Sequence, residues 1–439
     1  MKRFAETDLG VWKNDADRMP LLLRGARQVG KSFLVETWGK ANFKHVLTIN
    51  FEKQKEYAFC FNTLSIPQIL TALQALSGKT LIPDESLLFL DEIQLCPNAI
   101  MSLRYFKEDF QKLHVIAAGS LLEFALKEEG FHMPVGRVQS LYIKPLSFYE
   151  HLIARNQSGL VDYLQNVTWH NFDEGVAKKC EMFLREYFIL GGMPAVIQSY
   201  INTTTFDKTP MLQQGLLNDY RDDFGKYAPQ HQHRYLQRLL ERVPGMIGER
   251  FHYSEVDAHM QSRDLKNALN NLCDAGLMYR IQCTNANGLP LNASVREKLF
   301  KVLFLDIGLV KATSFLSPHL MLREDLMLLN RGMLTEQFVG QELQVNQPRY
   351  SPGQLFYWNN DKGQAEVDYV IHVDDIIVPI EVKSGKTGSL KSLHYFMKTY
   401  QSRVGIHLSM RPLSVYQNIL SIPLYMIPEI PRLIGGWQP

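Results

Sequence analysis

The stretch Pro20-Leu-Leu-Leu-Arg-Gly-Ala-Arg-Gln-Val-Gly-Lys-Ser-Phe-Leu-Val-Glu-Thr-Trp38 decides the fold of the first part of this chain. Leu21–Leu23 reads as a short buried strand, and Phe33–Trp38 as the start of a helix. Between them stand Gly25, Gly30, Lys31 and Ser32 in the spacing G-x-x-x-x-G-K-S. Glycines let a loop bring backbone N–H groups close around phosphate, and the amino end of the following helix adds its positive dipole. In such a loop Lys31 reaches the β- and γ-phosphates, and the Ser32 hydroxyl ligates magnesium. The reading is a phosphate-binding loop, with the phosphates of a nucleotide and Mg²⁺ as the expected ligands.

Working outward, Leu87-Leu88-Phe89-Leu90 is a continuous apolar run that ends in Asp91-Glu92. Such a run suits a parallel strand buried on both faces. Ligands in open α/β sheets collect at the carboxyl ends of the strands, so both acids should face the phosphates. Asp91 is placed to hold magnesium through water, and Glu92 to orient the attacking water. His45–Asn50 supplies another strand, with Glu52 after it in an open role, and His114–Ala118 supplies a third. Ser120, after that third strand, is a candidate sensor of the γ-phosphate or of the attacking water. A fourth strand follows Gly136-Arg137, and Arg137 is a candidate for stabilising transition-state charge, in its own site or in a neighbouring copy.

Length and composition bound the rest. At 439 residues the chain suggests two to four domains. No apolar run is long enough to cross a membrane, and no apolar stretch follows the charged opening. Five scattered cysteines without a C-x-x-C pair fit a reducing cytoplasm rather than a disulfide framework or a zinc knuckle. The net charge of +2, from 47 basic and 45 acidic residues, carries no global footprint for nucleic acid. Any contact with DNA must therefore rest on local sites.

Residues 151–230 carry helical periodicity, broken at Gly191-Gly192-Met193-Pro194, and read as a helical lid. From 231 to 325 three helical patterns precede two strands, Leu277–Ile281 and Leu299–Leu305, which is the order of a winged helix. Arg234, Arg238 and Arg242 recur every fourth residue, while Arg263 and Lys266 open the candidate recognition helix. The window is nearly balanced in charge, so docking to a protein partner competes with direct contact to DNA.

Residues 326–439 hold a second chemical pattern. Glu366-Val-Asp-Tyr-Val-Ile371 and Ile376–Lys383 read as a hairpin turning at Asp374-Asp375. Alternation along a strand points Glu381 and Lys383 the same way, and Asp368 can face Glu381 across the hairpin. Two carboxylates at one spot repel unless a divalent ion neutralises them. A magnesium ion there could activate water against a phosphodiester, with Lys383 adding positive charge. Glu336, on an upstream helix, is a third ligand or a neighbour.

Two resemblances follow from these motifs. GARQVGKS, LLFLDEIQ, AAGSLLEFAL and the GR…KPLSFYE stretch, with YFILGGMPAV at 187–196, together resemble a bacterial and archaeal group of AAA+-type P-loop ATPases. Asp368, twelve residues, then Glu381-Val-Lys383 resembles the PD-(D/E)xK nucleases, a domain that the same group carries at its C-terminus. The first resemblance implies ATP binding with magnesium through Gly25, Gly30, Lys31, Ser32, Asp91 and Glu92. The second implies metal-dependent DNA cleavage by Glu336, Asp368, Glu381 and Lys383. The expected architecture is α/β and multidomain: a P-loop parallel-sheet ATPase core at 1–150, a helical lid at 151–230, a winged helix at 231–325, and a restriction-endonuclease-like α/β domain at 326–439. The expected function couples nucleotide state to a metal-dependent nuclease or to DNA binding. The alternative is a nucleotide-switched protein-interaction module with an inert nuclease-like domain, acting on a protein partner or in a homo-oligomer.

Overall fold

The computed structural model describes residues 1–120, 122–125, 134, 136–169, 171–313, 331–360, 364–385 and 389–437. Strands β1 (Leu21–Arg24), β2 (His45–Asn50), β3 (Ser86–Asp91), β4 (His114–Ala118) and β5 (Gln139–Tyr142) form one sheet in the order β2-β3-β4-β1-β5. Every pairing in it is parallel. The apolar runs are buried on both faces, as their continuity requires. Leu22, Leu47, Ile49, Leu88, Leu90, Val115 and Ala117 face a core closed by the helices Ile66–Ser77 and Pro97–Asp109. Their alternating neighbours Leu21, Leu23, Leu87, Phe89, Ile116 and Ala118 face the helix Lys31–Asn42 and join a second core that continues through the rest of the molecule.

The described residues of the 151–230 segment are mostly helical, from Phe148–Ala154 through Phe224–Tyr227 and on into His233–Arg242. Ser147 and Glu150 start the run with a reciprocal capping box. The helix Glu174–Leu190 ends at Gly191, whose φ of +72° suits glycine. The break also brings two stretches of the chain into close approach. The Asp306 carboxylate accepts from Gly192 N at 2.6 Å and from Gly308 N at 2.9 Å. A Cβ on Gly191 would lie 2.1 Å from an Asp306 oxygen.

After the helices His233–Arg242, Tyr253–Val256 and Ser262–Asp274 comes the hairpin β6 (Met278–Thr284) and β7 (Val295–Phe304). The elements come in the order read from the sequence, but the hairpin does not stand apart. β6 pairs in parallel with β8 (Leu355–Asn359), and the sheet continues through β9 (Glu366–Val373), β10 (Ile376–Val382), β11 (Gly405–Ser409), β12 (Ser414–Tyr416) and β13 (Ile419–Pro423). Its order is β12-β13-β11-β10-β9-β8-β6-β7, so one eight-stranded sheet runs across the boundary expected at 325/326. The helix Arg331–Val345 packs Phe338, Val339 and Leu343 into the common core. None of the five cysteines forms a disulfide. Among the described residues no helix is long and apolar enough to cross a membrane.

Candidate functional site

The loop after β1 takes its shape from its glycines. Gly25 has φ +132°, and a Cβ there would lie 2.0 Å from the Ile143 carbonyl oxygen, so only hydrogen fits. Gly30 has φ +90° and opens the helix Lys31–Asn42. Lys31 is buried and donates from Nζ to the carbonyls of Gly25 at 2.8 Å and Ala26 at 2.7 Å. Burial lowers its pKa to about 8, against the pull of Glu92 and Asp91. Bound phosphate oxygens would exchange for those carbonyls and restore the full charge.

Ser32 Oγ donates to Asp91 Oδ1 at 3.0 Å. Asn50 Nδ2 donates to Asp91 Oδ2 at 2.9 Å, from the register partner of Asp91 on β2. The hydroxyl and carboxylate are hard oxygen donors side by side next to Lys31, a set that fits magnesium. Glu92 sits at φ +52°, outside the strand, and accepts from Gln94 Nε2 at 2.6 Å. Gln94 in turn lies against the end of β4, where a Cβ on Gly119 would meet its side-chain oxygen at 2.4 Å. Asn50 and Gln94 were not singled out from the sequence. The signals were present: Asn50 ends a strand beside Asp91, and Gln94 follows the acid pair.

Ser120 lines a cavity of about 260 Å³ together with Gly25, Arg24, Lys144 and Asp274. Arg137 lies elsewhere. It precedes β5 and pairs with Glu108 at 2.9 Å, half exposed, at the amino end of the strands. The loop and Asp91 are at the carboxyl ends, so Arg137 does not reach the phosphate site of its own chain. Glu52 is exposed beyond β2.

The loop is gripped from outside the sheet. Arg27 Nη1 lies 2.6 Å from both oxygens of Asp223, and the Tyr220 hydroxyl donates to the Arg27 carbonyl at 3.0 Å. The Asp223 hydrogen bond holds the Arg27 pKa above its usual value. Lys226 adds a second cation 2.9 Å from Asp223. Arg3 Nη1 donates to the Val29 carbonyl at 3.0 Å, while its Nε pairs with Glu150 at 3.1 Å. The arginine stripe of the next helix is engaged too: Arg238 pairs with Asp257 and Arg242 donates to the Glu255 carbonyl, whereas Arg263 and Lys266 are exposed.

In the C-terminal sheet the four residues singled out come close, but around a lysine. Lys301, on β7 and 1% exposed, places Nζ 2.6 Å from Glu366 Oε1 and 3.6 Å from Glu336 Oε2. Although burial opposes its charge, Glu336, Glu366 and Asp368 hold its pKa above the usual value. Asp368 Oδ2 accepts from Val382 N at 2.7 Å, and Glu381 Oε1 accepts from Lys383 Nζ at 2.6 Å. Burial pushes Glu336 and Glu381 each up to about 7, and Asp368 upward as well. Among the described residues no group of three or more potential ligands is arranged to hold a metal ion. Of the expected metal set Glu336, Asp368 and Glu381, Glu336 stands beside the Lys301 ammonium group and Glu381 beside that of Lys383. Lys301 was missed from the sequence. Its signal is a lone lysine inside the apolar strand Phe300-Lys301-Val302-Leu303-Phe304.

Comparison with known proteins finds similarity over separate parts of the chain. Residues 17–152 match the model of the AAA domain family. The N-terminal part of the chain is thus a P-loop ATPase domain of the AAA type. Residues 182–320 match a domain of unknown function (DUF8612), and residues 331–427 another (DUF4143). Among solved structures, a Walker-type ATPase of Pyrococcus abyssi is 16% identical, with a TM-score of 0.44, over 71% of this chain and 95% of that one. The Aeropyrum pernix ORC1 protein, solved in complex with DNA, is 12% identical, with a TM-score of 0.27, over 72% of this chain and 93% of that one. No curated protein matches.

Proposed function

We propose that this chain is a nucleotide-driven switch that binds and hydrolyses ATP with magnesium and uses its C-terminal domain to bind rather than to cut. The grip of Asp223 and Tyr220 on Arg27 carries this reading, because it ties the phosphate loop directly to the helical lid. An arriving triphosphate competes with Asp223 for the Arg27 guanidinium, so nucleotide state changes what the lid holds. Lys31 takes the β- and γ-phosphates. Ser32 and Asp91 hold the magnesium ion, which would neutralise charge developing on the phosphates. Glu92, kept in place by Gln94, orients the attacking water. Ser120 reports from the end of β4. Arg137, at the far end of the sheet, can serve only a neighbouring copy in an oligomer.

Within this reading the segment from His233 to Phe304 acts as a winged helix whose exposed Arg263 and Lys266 face a partner or DNA. The Lys301-centred acid cluster supports a binding module over a nuclease. Measured ATP turnover tests the first half: Lys31→Ala should lose binding and hydrolysis, and Glu92→Gln should bind but lose turnover by at least about a hundredfold. Full turnover in either variant overturns it. Incubation with duplex and branched DNA in Mg²⁺ or Mn²⁺ tests the second half. Cleavage that disappears in Asp368→Ala would overturn the binding-module reading in favour of a nuclease coupled to ATP.

A further inference from the structure

Lys301 stands in the apolar run Phe300-Lys301-Val302-Leu303-Phe304 of β7, and it is almost fully buried. Its strand neighbours give a charge no compensation, so the reason for a lysine lies in what it reaches. Besides Glu366 on β9 and Glu336 on the helix Arg331–Val345, its Nζ lies over the Tyr357 ring of β8, 5.3 Å from the centroid. Asp368 also pulls on its charge. The turn at Gly248 closes against the same group, since a Cβ there would stand 2.9 Å from Glu336 Oε1.

The acids have supports of their own. Glu366 Oε2 accepts from Asn359 Nδ2 at 3.2 Å, and Asp368 is held by the Val382 N–H group. Glu381, 5% exposed, pairs with Lys383 through one oxygen, but its Oε2 has no hydrogen-bond partner among the described residues. Hard carboxylate oxygens gathered in this way are the donors that a divalent ion prefers. An ammonium group 2.6 Å from Glu366 Oε1 bars such an ion from that oxygen, by charge and by space.

We infer that Lys301 is a built-in counter-cation that takes, among Glu336, Glu366 and Asp368, the place a divalent metal ion would otherwise hold, and so makes the C-terminal domain independent of divalent metal. The ammonium group comes from the β6–β7 hairpin and the acids from elements after it, so the same contact fastens the hairpin to the rest of the sheet. A nuclease needs the reverse, acids free to take the ion that activates water. The inference deepens the reading of the C-terminal domain as one that binds without cutting, and rests on it. Removing the ammonium group should unmask a cation site built from these acids, with the open Glu381 oxygen beside it.

The test is Mn²⁺ binding by the full chain without nucleotide, read from the electron paramagnetic resonance of the free ion. Lys301→Met and Lys301→Gln should each bind an ion that wild type does not, at least about tenfold more tightly than any ion wild type holds at these acids. Adding Asp368→Ala to either variant should weaken that ion by about tenfold or more. Both neutral variants should also gain more in melting temperature from Mn²⁺ or Ca²⁺ than wild type does, because the ion binds the folded state alone. A variant that does not fold by itself should fold once the ion is added. Failure of both to fold with Mn²⁺ present overturns the inference, and so does the same ion count in wild type and variants. An ion in wild type that Asp368→Ala removes overturns it as well. ATP turnover and DNA cleavage are read on the same wild-type sample. Absent turnover would sink the switch and leave the role of Lys301 standing. An unchanged ion count in the variants, with no cleavage by wild type, would sink that role and leave the binding module standing.

Discussion

Glu342 is buried on the helix Arg331–Val345, where its Oε1 accepts from Phe148 N at 2.9 Å. Burial pushes its pKa up to about 8, with the nearby Glu150 adding to the shift. A raised carboxyl pKa means that the folded state binds the proton more tightly than the unfolded chain. Its stabilising contribution is complete below the unfolded value near 4.5 and is lost as pH rises through about 8. Glu342→Gln keeps an acceptor for Phe148 N without the ionisation. Its melting temperature should match wild type at pH 5 and exceed it at pH 8.5; a constant difference across that range would refute the assignment. Lys301 makes the opposite case, a charge that its neighbours require. Lys301→Met leaves Glu336, Glu366 and Asp368 facing one another, and urea denaturation should show a loss of about 3–5 kcal/mol. Adding Glu366→Gln to that variant should recover part of the loss.

At the scale of elements, local pattern made the parallel core legible. Leu87–Leu90 is apolar without alternation and sits in a strand buried on both faces, and the spacing Gly25 to Ser32 specified the turn between strand and helix. Asp91 and Ser32 meet as expected because both stand at carboxyl ends or just beyond them. Arg137, read as acting in its own site or in a neighbouring copy, stands away from the loop of its own chain for a reason available in the sequence. It precedes its strand, and in a parallel sheet that puts it at the end away from the ligand. The seam between β6 and β8 was not legible, since the pairing of Ile281 with Leu355 leaves no trace in the periodicity of either segment. The Gly191-Gly192 break was read as a turn, but its tightness depends on Asp306, far along the chain. Gly191→Ala would force a side chain into a backbone region nearly confined to glycine and into the Asp306 carboxylate. A cost of at least about 1–3 kcal/mol from the backbone alone should appear as a lower urea midpoint. An unchanged midpoint would show that the contact can relax.

At the scale of the whole molecule, the phosphate loop is held by three parts of the chain at once: Arg3 near the start, Asp223 in the lid, and the turn at Gly276, whose added Cβ would meet Ala26 N at 3.2 Å. A ligand at the loop should therefore be felt well beyond it. Hydrogen exchange in the helix Thr209–Asp222 should change when ATP is added to wild type, and the change should shrink in Asp223→Asn. Exchange indifferent to ATP would break the proposed link between loop and lid.

The seam between β6 and β8 has a consequence for how the chain emerges from a ribosome. The strands of the ATPase sheet are complete once β5 has been made, so that unit can close early. One edge of β6 then has to wait, with its backbone groups unpaired, until Leu355–Asn359 arrives. At synthesis rates of about 5–20 residues per second the interval lasts roughly 4–14 s. During it the newborn chain carries an open sheet margin that other nascent chains can capture, a hazard that falls on this junction and not on the nucleotide-binding half.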